Sequence, residues 1–243
     1  MKDETLVFPV EGTKKPVGTE ESGKTFSLII YSKDTKNWTL SKGMSADGCG
    51  VPSVVEWKDD KLMMMTACGD GRRRVYESGG KGDSWTEALG TLSRVWGNKH
   101  KGKAELVRSG FSTATIEHGV DVTKRNVMLV TLPVYSKEKD NSKGVLHLWL
   151  TDNTHIVDIG PVSDDEDAAA SSLLYKSGDN NNEELIALYE KKNGDGKKPS
   201  LGMVSVLLTE QLKRVKDVLT TWKEVDERVS KLCPSENAKE DAS

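Results

Sequence analysis

The chain has 243 residues, 35% of them hydrophobic, with 35 basic and 38 acidic side chains and a formal net charge of −3. That length fits one large domain or two small ones, and all-β domains of this size commonly stay single. Basic and acidic residues are interleaved with no excess for a polyanion, which excludes nucleic acid as an expected partner. With no signal-type apolar run at the N-terminus and no stretch of about 18 apolar residues, a transmembrane segment is not expected either.

Taken in chain order, the sequence reads as groups of short strands. A first group holds "LVFPV", "TFSLIIYS" and "WTLSK" and is one strand short. A second holds "SVVEW", a turn at 58–60, "KLMMMTA", "RRRVYES", a Gly-rich turn and "SWTEAL". A third holds "STATIE", "NVMLVTLPVY", "VLHLWLT" and "IVDIGPV", and a fourth only "SSLLYK", "ELIALYEKK" and "MVSVLL". Strands of this length separated by turn residues indicate antiparallel meanders. Trp38 and Trp85 follow the two most similar turns and lie 47 residues apart (85 − 38). Units of about four strands recurring over some 40 to 50 residues are the signature of a β-propeller, and the incomplete units point to part of a larger ring. From Thr209 the period changes: Leu212, Val215, Leu219, Trp222, Val225, Val229 and Leu232 recur every three or four residues. That pattern predicts an amphipathic helix over 209–233 with Thr209 as N-cap, followed by a disordered polar tail over 234–243. Residues 1–208 then form the β domain.

Cys49, Cys68 and Cys233 are too few for a disulfide scaffold and lack zinc spacing. In an oxidising compartment the expected pair is Cys49 with Cys68, which bound neighbouring strand-like runs, although sequence does not fix connectivity. Residues 18–25, "GTEESGKT", match the phosphate-loop pattern formally. That motif needs a following helix to aim N–H groups at phosphates, and here an apolar strand follows and Glu20 and Glu21 occupy the loop, so a hairpin is expected. His100, His118, His147 and His155 lack metal-ligand spacing, and "GDNNNEE" at 178–184 lacks the Gly and Glu of a calcium loop. No metal and no cofactor is expected. Alternation along a strand sends Arg73 to the opposite face from Arg72 and Arg74, and pairing with acids is the expected role of the run. Asn37-Trp38-Thr39 is an N-glycosylation sequon if the chain is secreted.

The two turns carry the most specific signal. In "SGGKGDSW", Ser78 and Ser84 can bond the turn backbone, Gly80 and Gly82 permit positive φ, and Trp85 can pack into the sheet; Ser32, Asp34 and Trp38 recur in "SKDTKNW". Both resemble the Asp box of sialidases, Ser-x-Asp-x-Gly-x-Thr-Trp. Beyond the turns, "YESGGKGDSWTEALGTLSRVWG", "LHLWLTDN", "SSLLYK" and "LTEQLKRVKDVLTTWKEVDERVSKLC" resemble the trypanosomal trans-sialidase family, over nearly the whole chain. The resemblance implies part of a six-bladed sialidase propeller, entered after its first blades and left at a helix that leads to a lectin-like domain.

It also implies a retaining mechanism in which a Tyr activated by a Glu attacks sialic acid, three arginines hold the substrate carboxylate and an Asp is the acid. Position by position, the Tyr matches Ala170, the Glu matches Val51 before Pro52, one Arg matches Ala67 and a second Lys143; the third Arg and the Asp belong to blades upstream. Glu190 matches a Glu that pairs with a triad Arg. The expectation is a catalytically inactive surface glycoprotein, lipid-anchored in full length, that attaches to host-cell glycoproteins or sialylated glycans. The competing expectation is an exo-α-sialidase or trans-sialidase with weak residual activity.

Overall fold

The computed structural model describes residues 1, 3–14, 23–58, 61–88, 92–119, 121–135, 143–164, 167–178, 183–193 and 200–232. Four antiparallel meanders follow one another along the chain. The first is β1 (Leu6–Lys14), β2 (Lys24–Ser32) and β3 (Thr39–Leu40); the second is β4 (Cys49–Glu56), β5 (Leu62–Cys68), β6 (Arg73–Ser78) and β7 (Thr86–Glu87). A short helix α1 (Leu92–Val95) and a two-stranded hairpin, β8 (Lys99–His100) with β9 (Lys103–Ala104), precede the third meander. That one runs β10 (Gly110–His118), β11 (Thr123–Tyr135), β12 (Gly144–Thr151) and β13 (Ile156–Pro161). The fourth is β14 (Ala168–Ser177), β15 (Glu183–Asn193) and β16 (Ser200–Leu207), and α2 (Thr209–Leu232) closes the chain. These are the four strand groups expected from the sequence; the hairpin β8–β9 and helix α1 are additions to it.

The sheets stack face to face, and strand alternation decides which neighbour each side chain meets. Along β5, Leu62 and Met64 join Ile29 and Tyr76 in a core between the first and second sheets, while Met63 and Met65 join Trp96, Met128 and Val130 in a core between the second and third. Along β11, Met128, Val130 and Leu132 look back to the second sheet, and Val127 and Leu129 look forward to Ala168, Leu185 and Ala187 of the fourth. Both strands therefore read as unbroken apolar runs, because both faces are buried. Each such side chain contributes about 1.5–3 kcal/mol. A disulfide joins Cys49 at the start of β4 to Cys68 at the end of β5, which are direct cross-strand partners. Cys233 lies outside the described residues.

The two Asp-box turns differ in detail. In the first, the Asp34 carboxylate accepts the N–H groups of Lys36 and Asn37 at 2.9 and 2.7 Å, the Asn37 side-chain amide at 2.7 Å and the Ser32 hydroxyl at 3.2 Å. Trp38 stays 43% exposed and leans on Phe8 with ring centroids 5.5 Å apart. In the second, Gly80 stands where Asp34 stands, and Ser78 Oγ accepts the N–H groups of Gly80 and Gly82. Gly82 has φ +81°, and its carbonyl receives the N–H of Gly43, tying the first sheet to the second. Trp85 packs into the core between those sheets, as expected. Two details depart from expectation: the second positive φ falls on Lys81 rather than Gly80, and Ser84 is exposed without a hydrogen bond to the turn among the described residues.

Along α2, Leu212, Val215, Leu219 and Trp222 are buried against the third and fourth sheets, whereas Val225, Val229 and Leu232 are exposed. The first intrahelical bond runs from the Leu212 N–H to the Leu208 carbonyl, which puts the N-cap at Leu208, one residue before the expected Thr209. A polar clasp fixes the helix midpoint. Arg125 bonds Asp152 at 2.5 Å and Asp226 of the helix at 2.9 Å, and Trp222 stacks on His155 with centroids 4.8 Å apart and lies 5.6 Å from the Arg125 guanidinium. Among the described residues no helix is long and apolar enough to cross a membrane. No strand is replaced by a helix after the phosphate-loop look-alike either, since β2 begins at Lys24; residues 18–22, 179–182 and the tail lie outside the described residues.

Two outcomes follow from this packing. Trp222→Ala lowers stability by about 3–5 kcal/mol in chemical denaturation, whereas Val229→Ala, at an exposed site, changes it by less than about 0.5 kcal/mol. The Asn37 N–H first, then its side-chain amide and the Lys36 N–H, hold Asp34 at about 2 against the ordinary 3.8. A depressed carboxyl contributes its stabilisation fully above 3.8 and loses it as pH falls through about 2, so an NMR titration places Asp34 near 2 and the turn intact at pH 4.

Candidate functional site

Strands β4, β10 and β14 pack beside one another, and their first residues meet at one face of the stack. Ser53 Oγ donates to the Ser109 carbonyl at 2.7 Å, and the Gly110 N–H donates to Ser171 Oγ at 3.0 Å, so the three strand starts are bonded in sequence. The Ser171 N–H adds a bond to the Arg108 carbonyl at 3.1 Å. From the first sheet, Glu11 reaches the same face and accepts the Val51 N–H at 2.7 Å. From the third, the Gly144 N–H donates to Asp167 at 2.9 Å, beside Lys143.

This face collects the positions singled out in the sequence. Val51 lies in a bulge of β4 with φ +45°, strained for a β-branched residue, next to Gly50, whose cross-strand partner is Ala67. Ala67 is fully buried. Ala170 lies in a bulge of β14: Ala168 pairs with Lys191 and Ser171 with Tyr189, so the two bulged residues stand opposite Glu190. Glu190 is half-buried, with no cationic partner among the described residues. Lys143 is exposed at the start of β12. Thus Val51 with Ala67, and Ala170 with Glu190, form two adjoining groups on one rim. None of Val51, Ala67 and Ala170 carries a group that can attack, take a proton or hold a carboxylate.

Nearby hydroxyls do not fill the gap. Ser171 is 6% exposed, and its Oγ accepts the Gly110 N–H and the Thr131 hydroxyl while donating to the Thr131 carbonyl. It is committed to joining strands. Tyr135, at the end of β11, stacks on His100 at 4.4 Å with its hydroxyl buried and unbonded. Burial first, then the Glu105 carboxylate, push that hydroxyl up to about 12, the wrong direction for a nucleophile at neutral pH.

The reading of the arginine run needs one correction. Arg72 and Arg74 do pair with Asp70, at 3.9 and 2.6 Å, and Arg74 also with Glu87 at 3.5 Å. Arg73 has no acidic partner among the described residues: it is 2% exposed, directly across from Ala67, and its Nη1 donates to the Val107 carbonyl at 2.8 Å and Ser109 Oγ at 2.9 Å. Burial weakens its hold on the proton, to about 10, which leaves it charged at neutral pH. The strand alternation in "RRR" put its middle member on the opposite face from its neighbours; that this face is the buried one, and what Arg73 meets there, needed the fold. Of the other cation candidates, His147 pairs with Asp158 at 2.9 Å, and His118 is buried with neither ring nitrogen bonded. Among the described residues no three His, Cys, Asp or Glu side chains converge as a metal site.

Antiparallel units of three or four strands stacked face to face, with Ser-anchored turns between outer strands, define a BNR-repeat propeller. Residues 1–190 match the BNR repeat-like domain family. Two Trypanosoma cruzi proteins are similar in sequence: Sialidase 85-1.1, 37% identical over 93% of this chain and 28% of its own length, and a second sialidase, 37% identical over 90% of this chain and 17% of its own. Trypanosoma rangeli sialidase is similar in structure, with a TM-score of 0.75 in its complex with 2,3-difluorosialic acid, at 36% identity over 93% of this chain and 33% of that one. Its complex with sialic acid matches with a TM-score of 0.73 at 35% identity. The chain belongs to the trypanosomal sialidase and trans-sialidase family, and it spans no more than about a third of the length of these relatives.

The strain at Val51 is testable by itself. Val51→Gly removes the Cβ that disfavours φ +45° and raises stability by about 1 kcal/mol after the added chain entropy of glycine, read from denaturant midpoints; a loss of stability would contradict the strained backbone.

Proposed function

We propose that this chain is part of a trans-sialidase-family surface protein whose propeller no longer catalyses and which acts by binding host-cell glycoproteins or sialylated glycans during attachment. The observation that carries the reading is Ala170 in the β14 bulge opposite Glu190, at the place where the family resemblance puts the nucleophilic Tyr. A methyl group offers no route to a covalent glycosyl-enzyme. Val51 and Ala67 remove the activating Glu and one carboxylate-binding Arg. Losing one partner of a buried, hydrogen-bonded charge pair costs about 2–5 kcal/mol, so losing such arginines removes useful carboxylate affinity. Lys143 offers a point charge without the planar fork of Arg. The turns at Ser32, Asp34 and Trp38 and at Ser78, Gly82 and Trp85 are structural clasps in this reading. Asn37, exposed at the edge of the first turn with its amide on Asp34, is the proposed glycan acceptor, and the full-length protein is held at the cell surface by a lipid anchor.

The second reading, a sialidase or trans-sialidase with weak residual activity, is favoured by retention of Glu190 and by 37% identity to proteins named sialidases. The two separate in one assay: sialic acid release and transfer from sialyllactose by the folded full-length protein. The expected result is no turnover from the natural protein and measurable turnover from Val51→Glu/Ala67→Arg/Ala170→Tyr. Turnover by the natural protein that a sialidase inhibitor abolishes overturns the non-catalytic reading. No gain in the triple variant places further obstruction in the cleft.

A further inference from the structure

The hairpin β8–β9, which the strand pattern of the sequence did not announce, stands on the same end of the stack as the starts of β4 and β10. Its sequence, "NKHKGK" over 98–103, holds three lysines and a histidine and no acid. The backbone φ values of Lys101 and Gly102, +50° and +76°, make its tip a two-residue turn of the kind that suits strand twist. Three anchors hold it rigid. Asn98, 1% exposed, donates its N–H to the Gly71 carbonyl at 3.0 Å and its side-chain amide to the Cys68 and Glu105 carbonyls at 3.2 and 3.1 Å. His100 lies flat on Tyr135, 9° from parallel. The aliphatic stem of Lys99 crosses Gly71, whose φ of +88° and close approach leave no room for a side chain.

On this rigid support the cations accumulate. Lys99, Lys101, Lys103 and Arg108 are exposed, and none has an ion pair among the described residues. Arg72 is exposed beside them, 3.9 Å from Asp70. Beneath them lies Arg73, a buried guanidinium with no carboxylate partner among the described residues, bonded to the carbonyl and hydroxyl on either side of Arg108. The acids at the patch are engaged or few: Asp70 is bonded by Arg74 at 2.6 Å, and Glu105 faces His100 at 4.0 Å. A chain of net charge −3 thus gathers a local field of one sign, which whole-chain charge conceals.

We propose that this hairpin and its surroundings form a binding surface for a sulfated polysaccharide of the glycosaminoglycan class. The cations are spread around a hairpin tip and not gathered into a pocket, which suits a polymer with repeated anions better than one carboxylate. The aromatic rings here, Trp96 and Tyr135, are packed inside or stacked under His100, so no platform exists for stacking nucleobases. Lysines held on a pinned hairpin lose little freedom on binding, and their attraction is screened by salt. The surface adjoins the rim, since Arg73 lies across from Ala67 and the Arg108 carbonyl accepts the Ser171 N–H, but it includes none of Val51, Ala67 and Ala170 and stands whether or not those positions support catalysis.

The test uses the full-length protein and heparin as probe, in titrations at several salt concentrations, with Lys99→Ala/Lys101→Ala/Lys103→Ala as the variant. Lys33→Ala/Lys36→Ala/Lys42→Ala, exposed lysines of the first sheet, are the control. The natural protein is expected to bind heparin with an affinity that falls steeply with salt, and the hairpin variant to bind about ten-fold more weakly or worse, with the control unchanged. If the hairpin variant loses its folded signal, Lys101→Glu with Lys101→Arg as its rescue replaces it, because Lys101 makes no side-chain bond to the fold among the described residues. Four results overturn the proposal: no heparin binding near physiological salt, equal loss in hairpin and control variants, equal affinity for unsulfated heparosan or polysialic acid, or equal affinity for vesicles containing phosphatidylserine.

Discussion

Everything in this structure depends on one constraint: a sheet with two apolar faces is stable only between two other sheets. β5 and β11 show it most directly, since successive residues of the same strand belong to different cores. Because each sheet is sandwiched, the order of the stack is set by the order of the chain, and the first strands of successive sheets fall side by side. Their starts are then compelled to meet at one face. Site geometry is therefore a by-product of packing, and it persists whatever side chains occupy it.

That persistence lets the rim keep its shape under different sets of side chains. Ser53, Ser109, Gly110 and Ser171 keep the strand starts bonded to one another, and the bulges at Val51 and Ala170 keep the backbone turned toward the rim. Glu11 accepts the N–H of Val51, and Glu190 has no cationic partner among the described residues. The Cys49–Cys68 disulfide braces this end of the second sheet, and the Gly43–Gly82 contact braces the opposite end.

Much of this was legible beforehand, for physical reasons. "KLMMMTA" and "NVMLVTLPVY" read as strands because burial on both faces demands unbroken apolar runs, and α2 reads as a helix because its period matches its single buried stripe. The stripe continues in sequence beyond Trp222 although burial stops there, since periodicity reports a face and not what covers it. Ala170, Val51 and Ala67 were legible only through the resemblance, because an alanine or valine in a strand otherwise reads as core. Arg73 was half legible: alternation set it on the opposite face from Arg72 and Arg74, yet a buried guanidinium held by a carbonyl and a hydroxyl has no sequence signature. The β8–β9 hairpin was hidden because lysine and glycine are poor strand formers, and its order comes from Asn98 and His100 reaching the fold around it.

The central claim is that the rim can no longer form a covalent bond to a sialyl group. Incubating the full-length protein with 2,3-difluorosialic acid, which Trypanosoma rangeli sialidase holds as a covalent intermediate, and measuring the intact mass tests it most directly. The account predicts an unmodified protein. A sialyl adduct that maps to any residue of the rim would contradict it.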